Sequence, residues 1–191
     1  MSKVKFKYNK CRITARDPHI GTSGSAGIDF FIPYYIKDYA TDLLNTGKNK
    51  ENGIYCDPDL STDFRASESE PVIIVPAGKS VLIPSGIKTI FDSGNALLFL
   101  DKSGVCTKRG LKVGACLVDS DYRGELHYHL INTTDHDVTI EFGEKIIQAL
   151  FMPYNIPVFE YVSGYDFDEF VKSESETNDR GEGGFGSTGT K

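Results

Sequence analysis

Short apolar blocks separated by turn residues run through the second half of this chain. Between residues 71 and 162, PVIIVPAG, SVLIPSGIKTIF, ALLFLD, GACLVDSDYRGELHYHLIN, DVTIEF, IIQALFMP and PVFEYV follow one another, divided by Gly, Pro, Asp and Ser. Segments of this length and punctuation predict antiparallel strands in a sandwich or barrel, not βαβ units. Residues 124–131 alternate apolar and polar, as a sheet with one wet face requires. Pro84, Pro153 and Pro157 suit strand edges and bends. Upstream, residues 3–8 and 28–32 read as two short strands. Residues 37–70 are dominated by Asn, Asp, Lys, Ser and Glu. They predict a surface insertion with one helical turn around residues 39–44. The end of the chain is acidic over 163–178 and Gly-rich over 179–191. Such a tail cannot bury enough apolar surface to fold alone, so it is either disordered or ordered by docking on something else. The organisation read from the pattern is a β-rich core over 1–162 carrying the insertion at 37–70, a flexible linker over 163–178 and an arm over 179–191.

Composition narrows the class. The 191 residues suffice for one domain with a real core, or one domain plus an arm. With 39% apolar and 25% charged residues the chain is of ordinary soluble type. A net charge of −6 argues against stable nucleic-acid binding, which needs a basic face to displace counterions. It leaves a nucleotide substrate open, because a few local cations and backbone amides hold a phosphate. Cys11, Cys56, Cys106 and Cys116 form no Cys-x-x-Cys motif, so they read as free thiols in a reducing compartment. The first ten residues, MSKVKFKYNK, lack an apolar signal core, and no apolar run approaches the roughly 20 residues that span a membrane. The expected location is intracellular, cytoplasmic or nuclear.

Five segments carry candidate chemistry. In the tail, Arg180-Gly-Glu-Gly-Gly-Phe-Gly-Ser-Thr-Gly189 frees backbone N–H groups to converge on an anion. Arg180 adds a fork that fits phosphate oxygens, Ser187 and Thr188 add hydroxyls, and Phe185 offers a flat face for a base. A plain flexible arm has the same composition. In Gly114-Ala-Cys-Leu-Val-Asp119-Ser-Asp-Tyr122-Arg-Gly124 an acidic turn lies between apolar strands, which predicts a β-hairpin with carboxylates at its tip. One of these could activate water, although a solvated Asp-rich turn reads identically. Asp101-Lys102-Ser103-Gly104-Val105 follows an apolar run and offers three phosphate donors, or is a simple turn. Ala26-Gly27-Ile28-Asp29-Phe30-Phe31 and Gly143-Glu-Lys-Ile-Ile-Gln148-Ala-Leu are unremarkable alone.

Taken in order and spacing, the five segments resemble the five motifs of the homotrimeric dUTPases. AGIDFF is similar to the first, DKSGV to the second, GACLVDSDYRGE to the third, GEKIIQAL to the fourth, and RGEGGFGSTG nearly completes the fifth. The resemblance covers about residues 3–36 and 71–191. It implies an all-β, jelly-roll-like β-barrel (the dUTPase-like β-clip) in a homotrimer with a swapped C-terminal arm. The implied activity is Mg²⁺-dependent hydrolysis of dUTP to dUMP and pyrophosphate, which keeps uracil out of DNA and supplies dUMP for dTTP synthesis. By resemblance, Asp119 deprotonates the attacking water, and Tyr122 packs under the deoxyribose and excludes a 2′-hydroxyl. Backbone around Leu117 and Val118 reads uracil. Lys102, Ser103 and the Gly104 amide bind phosphates, and Gln148 touches the phosphate and metal-water network. Arg180 and Ser187 reach the phosphates as the arm closes, Phe185 covers the uracil, and Gly186 belongs with them as substrate-binding. The Mg²⁺ rides on the triphosphate without direct protein ligands. Asp29 either holds its water shell or supports the fold, and support is favoured.

Departures and rivals follow from the same comparison. Lys102 replaces the usual Arg, Asp101 the usual Pro, and Lys145 an Arg. Residues 37–70 have no counterpart in short members. The alternatives are a dUTPase-like nucleotide-binding regulatory protein, with an unknown partner at 37–70, or a dCTP deaminase. The deaminase looks to need a Glu where this chain has His129, and an Asp-Pro-Gly-Trp/Phe turn where it has Asp119-Ser-Asp-Tyr122.

Overall fold

The computed structural model describes residues 5–57 and 71–174. Strands β1 (Phe6–Lys10), β2 (His19–Ile20) and β3 (Gly27–Phe31) lead into helix α1 (Lys37–Asn45). Strands β4 (Tyr55–Asp57), β5 (Val72–Val75), β6 (Ser80–Pro84), β7 (Ile87–Phe91) and β8 (Asn95–Asp101) precede helix α2 (Ser103–Arg109). Then come β9 (Leu111–Val113), β10 (Leu117–Val118), β11 (His127–Asn132), β12 (Val138–Glu141), β13 (Lys145–Pro153) and helix α3 (Gly164–Glu174). The chain divides into two units, Met1–Asn155 and Ile156–Lys191.

In the first unit all described strand pairs are antiparallel, as the short punctuated blocks predict. They form sheets ordered β1-β7, β10-β8-β13-β3-β2, β6-β11-β9 and β12-β5-β4. One core serves the four sheets, and Ile73, Val81, Leu97, Tyr128 and Ile147 are fully enclosed in it. Phe30, Phe99 and Tyr128 meet edge to face at its centre, with centroids 5.5–6.2 Å apart, the arrangement that ring quadrupoles favour. On β11 every second residue, Tyr128, Leu130 and Asn132, is buried, so His127, His129 and Ile131 share the outer face.

Residues 37–57 differ from a solvated surface insertion. Tyr39, Ala40 and Leu43 fall on one face of α1 and are buried, each large side chain contributing about 1.5–3 kcal/mol. Tyr39 donates its hydroxyl to Pro84 O at 2.7 Å. Beyond the helix, the buried Asn49 side chain accepts from Leu82 N at 2.8 Å and donates to Leu82 O at 2.8 Å and Leu43 O at 2.7 Å. Asn52 donates to Ser80 O at 2.7 Å. Strand β6 is the edge of its sheet, and these two amides stand where a neighbouring strand would be. Composition missed this because the residues that cap an edge are polar.

Two further expectations need correction. PVFEYV forms no strand: Val158, Phe159 and Tyr161 lie outside any helix or strand, each more than 90% exposed. A strand needs a partner for its backbone groups, and none pairs with this one among the described residues. In the stretch read as a flexible linker, the second unit holds α3, started by Ser163, whose Oγ accepts from Asp166 N at 3.2 Å. The four cysteines are free thiols. No described helix is long and apolar enough to cross a membrane.

Candidate active site

Strands β9 and β11 pair through Val113↔Leu130, Lys112↔Ile131 and Leu111↔Asn132, and residues 114–126 make a long excursion between them. The predicted β-hairpin is therefore open. Its first arm, β10, leaves β11 and pairs with β8 instead, Leu117 opposite Leu98 and Val118 opposite Leu97. The excursion turns at Asp119, whose carbonyl accepts from Tyr122 N at 3.2 Å. Tyr122 folds back to donate its hydroxyl to Glu125 O at 2.9 Å. A Cβ on Gly124 would lie 2.3 Å from that hydroxyl, so glycine makes room for the ring.

The excursion encloses an open cavity of about 220 Å³, lined by Leu117, Val118, Asp119 and Tyr122 together with Phe99 and His127. Asp119 is exposed, and its carboxylate meets no partner among the described residues. Below the cavity Glu125 binds Arg12 through both oxygens, at 2.6 and 2.9 Å, and Gly86 N at 2.7 Å. This bidentate pair fixes the far end of the excursion, and it raises the Arg12 guanidinium further above its ordinary value.

The second and fourth segments meet elsewhere. DKSGV does not end in a loop: Lys102 caps α2, so the amides of Ser103 and Gly104 stand in a first helical turn, where no intrahelical acceptor exists. Lys102 Nζ lies 2.8 Å from Asp29 Oδ1 and Lys145 Nζ 3.3 Å from Asp29 Oδ2. Burial raises the Asp29 carboxyl, but the two ammonium groups outweigh it and hold the pKa below the usual carboxylate value. Gln148 lies opposite Asp29 in the β13–β3 ladder and donates to Asp101 O at 2.8 Å. Its Oε1 would lie 2.7 Å from a Cβ on Gly27, which explains the glycine of the first segment. Asp101, in place of the family Pro, turns its carboxylate to Val113 N at 2.6 Å. Among the described residues no three His, Cys, Asp or Glu converge as a metal cage.

The structure thus gathers Leu117, Val118, Asp119 and Tyr122 in one place and Asp29, Lys102, Ser103, Gly104 and Gln148 in another. Val118 pairs with Leu97, and Lys102 follows five residues later, just past the end of β8, roughly 17 Å away at strand rise. Arg180, Phe185, Gly186 and Ser187 lie outside the described residues. The Arg12–Glu125 pair is invisible in the sequence. A cation and a carboxylate more than a hundred positions apart give no local signal.

A family model described as dUTPase matches residues 63–189. The chain belongs to the dUTPase family. The deoxyuridine 5′-triphosphate nucleotidohydrolase of Hahella chejuensis is 39% identical over 138 residues, covering 71% of this chain and 84% of that protein. The nucleotidohydrolase of Glaesserella parasuis serovar 5 is 40% identical over 130 residues, covering 66% and 79%. Among solved structures, a variant dUTPase of Staphylococcus bacteriophage 80alpha with dUpNHpp matches with a TM-score of 0.67 at 17% identity, over 97% of this chain and 98% of that one. A dUTPase of S. aureus phage phi11, in a structure that records a structural Mg(II) ion, matches with a TM-score of 0.59 at 15% identity, over 83% and 96%. At such identities the likeness is one of fold. The family match takes in the Asp119 segment, Lys102 and Gln148.

Proposed function

We propose that this chain hydrolyses dUTP to dUMP and pyrophosphate as a homotrimer, its sheets closing as a jelly-roll barrel and each site drawing on three chains. The family match that runs through both the Asp119 segment and the glycine-rich arm carries this reading. The separation of the two half-sites supports the assembly. A nucleotide seated in the Asp119 cavity needs phosphate donors closer than the roughly 17 Å to this chain's own Lys102. A neighbouring chain can supply them. The exposed Val158, Phe159 and Tyr161 favour docking of the arm on a neighbour for the same reason that any large apolar patch wants cover.

In this reading the base enters the cavity against backbone of Leu117 and Val118, whose fixed donors and acceptors match the edge of uracil and mismatch cytosine. Tyr122 packs under the sugar and rejects a 2′-hydroxyl. A neighbour's Lys102, with the Ser103 and Gly104 groups and Gln148, receives the phosphates. The arm, through Arg180, Phe185, Gly186 and Ser187, closes over them and excludes bulk water. Asp119 takes a proton from water as its oxygen attacks the α-phosphorus, and pyrophosphate leaves.

A Mg²⁺ fits these residues as a rider on the triphosphate. The corner offers one carboxylate, already bridged by two lysines, and no cage among the described residues. Asp29 and Gln148 would meet it through water, and when bound it neutralises charge on the departing pyrophosphate. With both oxygens engaged, Asp29 acts chiefly as the support that holds Lys102 and Lys145 in place.

The test is pyrophosphate release by purified chain with Mg²⁺ from dUTP, dCTP, dTTP and UTP, alongside gel filtration. Turnover of dUTP alone, by a species near three times the 21.1 kDa chain mass, is expected. Ammonia from dCTP, or a monomer that leaves dUTP intact, would overturn the proposal.

A further inference from the structure

We infer that His129 is a positioning residue for the uracil-reading backbone, holding the start of the 114–126 excursion through its imidazole; the inference rests on the dUTPase reading above. His129 Nδ1 accepts from Ala115 N at 3.0 Å, and its own carbonyl accepts from Gly114 N at 2.9 Å. The ring lies flat on Gly114, where a Cβ would come within 2.2 Å of Nδ1. One residue after Ala115, Cys116 O accepts from Phe99 N at 2.8 Å, and Leu117 and Val118 join β8. The backbone that reads the base is therefore set from two sides, by β8 and by an imidazole immediately before it.

The other end of the excursion is held by His127, two residues earlier on the same outer face of β11. Its Nδ1 lies 2.9 Å from Glu125 O, and its ring lines the Asp119 cavity. The partners fix opposite tautomers. A carbonyl only accepts, so His127 carries its proton on Nδ1; an amide N–H only donates, so Nδ1 of His129 is bare and its proton sits on Nε2. His129 also lines a second cavity of about 430 Å³ with Lys48, Asn49 and Asn52. The side chain thus stands between the 46–53 loop and the substrate loop. This commitment to the Ala115 amide also sets the residue apart from the water-activating Glu of a deaminase.

A structural role and a positioning role separate cleanly here. Ala115 is exposed, so its N–H finds water when the imidazole goes, and the fold loses little. What relaxes is the placement of residues 115–118. His129→Leu is expected to raise the KM for dUTP about 3- to 10-fold with kcat within about twofold, the scale of one hydrogen bond. His129→Asn, whose amide oxygen replaces Nδ1 as acceptor, is expected to return KM to within about twofold of wild type. Amide hydrogen exchange of the peptide covering residues 114–118 should speed up in His129→Leu and recover in His129→Asn. An unchanged KM with unchanged exchange in His129→Leu overturns the inference, as does a fall in kcat alone, which reports lost folded protein. If the wild type leaves dUTP intact, the dUTPase reading fails instead, and the exchange measurement still decides whether His129 holds the loop.

Discussion

Asp119 lines the cavity and has no partner among the described residues, whereas Asp29, Asp101 and Glu125 are each committed to a cation or an amide. A general base needs that freedom, because an ion-paired carboxylate is a poorer proton acceptor. Asp119→Asn keeps the shape and removes the basicity. It should bind dUTP with nearly unchanged affinity and turn over at least about 10²-fold slower in a single-turnover assay. An unchanged kcat would remove Asp119 from the mechanism. Asp29 makes the opposite case. Its folded pKa is lowered, so its contribution to stability is present above the unfolded value near about 3.9 and is lost as pH falls through the folded one. Wild type should exceed Asp29→Asn by about 2 kcal/mol in urea unfolding at pH 7, and the gap should narrow as pH falls below about 4. A gap independent of pH would mean that the carboxylate charge is not what holds the lysines. The segments around Asp119 and Asp29 stand out in sequence because glycines and an acidic turn lie at fixed local offsets, while the arm with Phe185 lies outside the described residues. His129 does not stand out, since one imidazole on the wet face of a strand looks like any surface residue until the chain folds the Ala115 amide onto it.

Strand positions follow from pattern, but the edges of sheets do not. The apolar blocks locate β5 to β8 and β11 to β13, because burial on alternate or both faces leaves its mark on each strand. The 37–57 stretch hides its role, since what it contributes is side-chain amides on the open edge of β6. Asn49→Ala removes three buried or part-buried hydrogen bonds and leaves the Leu82 N–H and carbonyl without that partner, while Leu43 O keeps only its bond from Thr46 N. We expect a loss of about 3 kcal/mol in chemical denaturation and a rise in concentration-dependent aggregation, as the β6 edge opens to other chains. A loss below about 0.5 kcal/mol, with no aggregation, would mean that water replaces the amide without cost and that the stretch is ornamental. Helices α2 and α3 escaped the pattern for another reason. Both are short, and their apolar residues are too few to impose a helical period over the surrounding turns.

At the scale of the whole molecule, β8 acts as a spacer. On the proposed reading it carries the base-reading backbone beside Leu97 and Leu98 and the phosphate donors just beyond Asp101. Both ends belong to a strand paired on its two sides within a five-stranded sheet, and in the proposed trimer a second chain supplies the missing half of each site. This makes activity a property of mixed assemblies, and it can be read directly. Chains carrying Asp119→Asn lack the base, and chains carrying Lys102→Ala lack a phosphate donor, so each homotrimer should be nearly inactive. Co-expressed in equal amounts, they assemble at random. A site then pairs an intact 114–126 excursion from one variant with an intact Lys102 corner from the other in about a quarter of cases, and activity should recover to about that fraction of wild type. If both half-sites came from one chain, every site would carry one lesion, and the mixture would never exceed the sum of its parents. Recovery therefore shows without a crystal that a site draws on more than one chain, and its absence would place both half-sites in one chain and sink the shared-site reading.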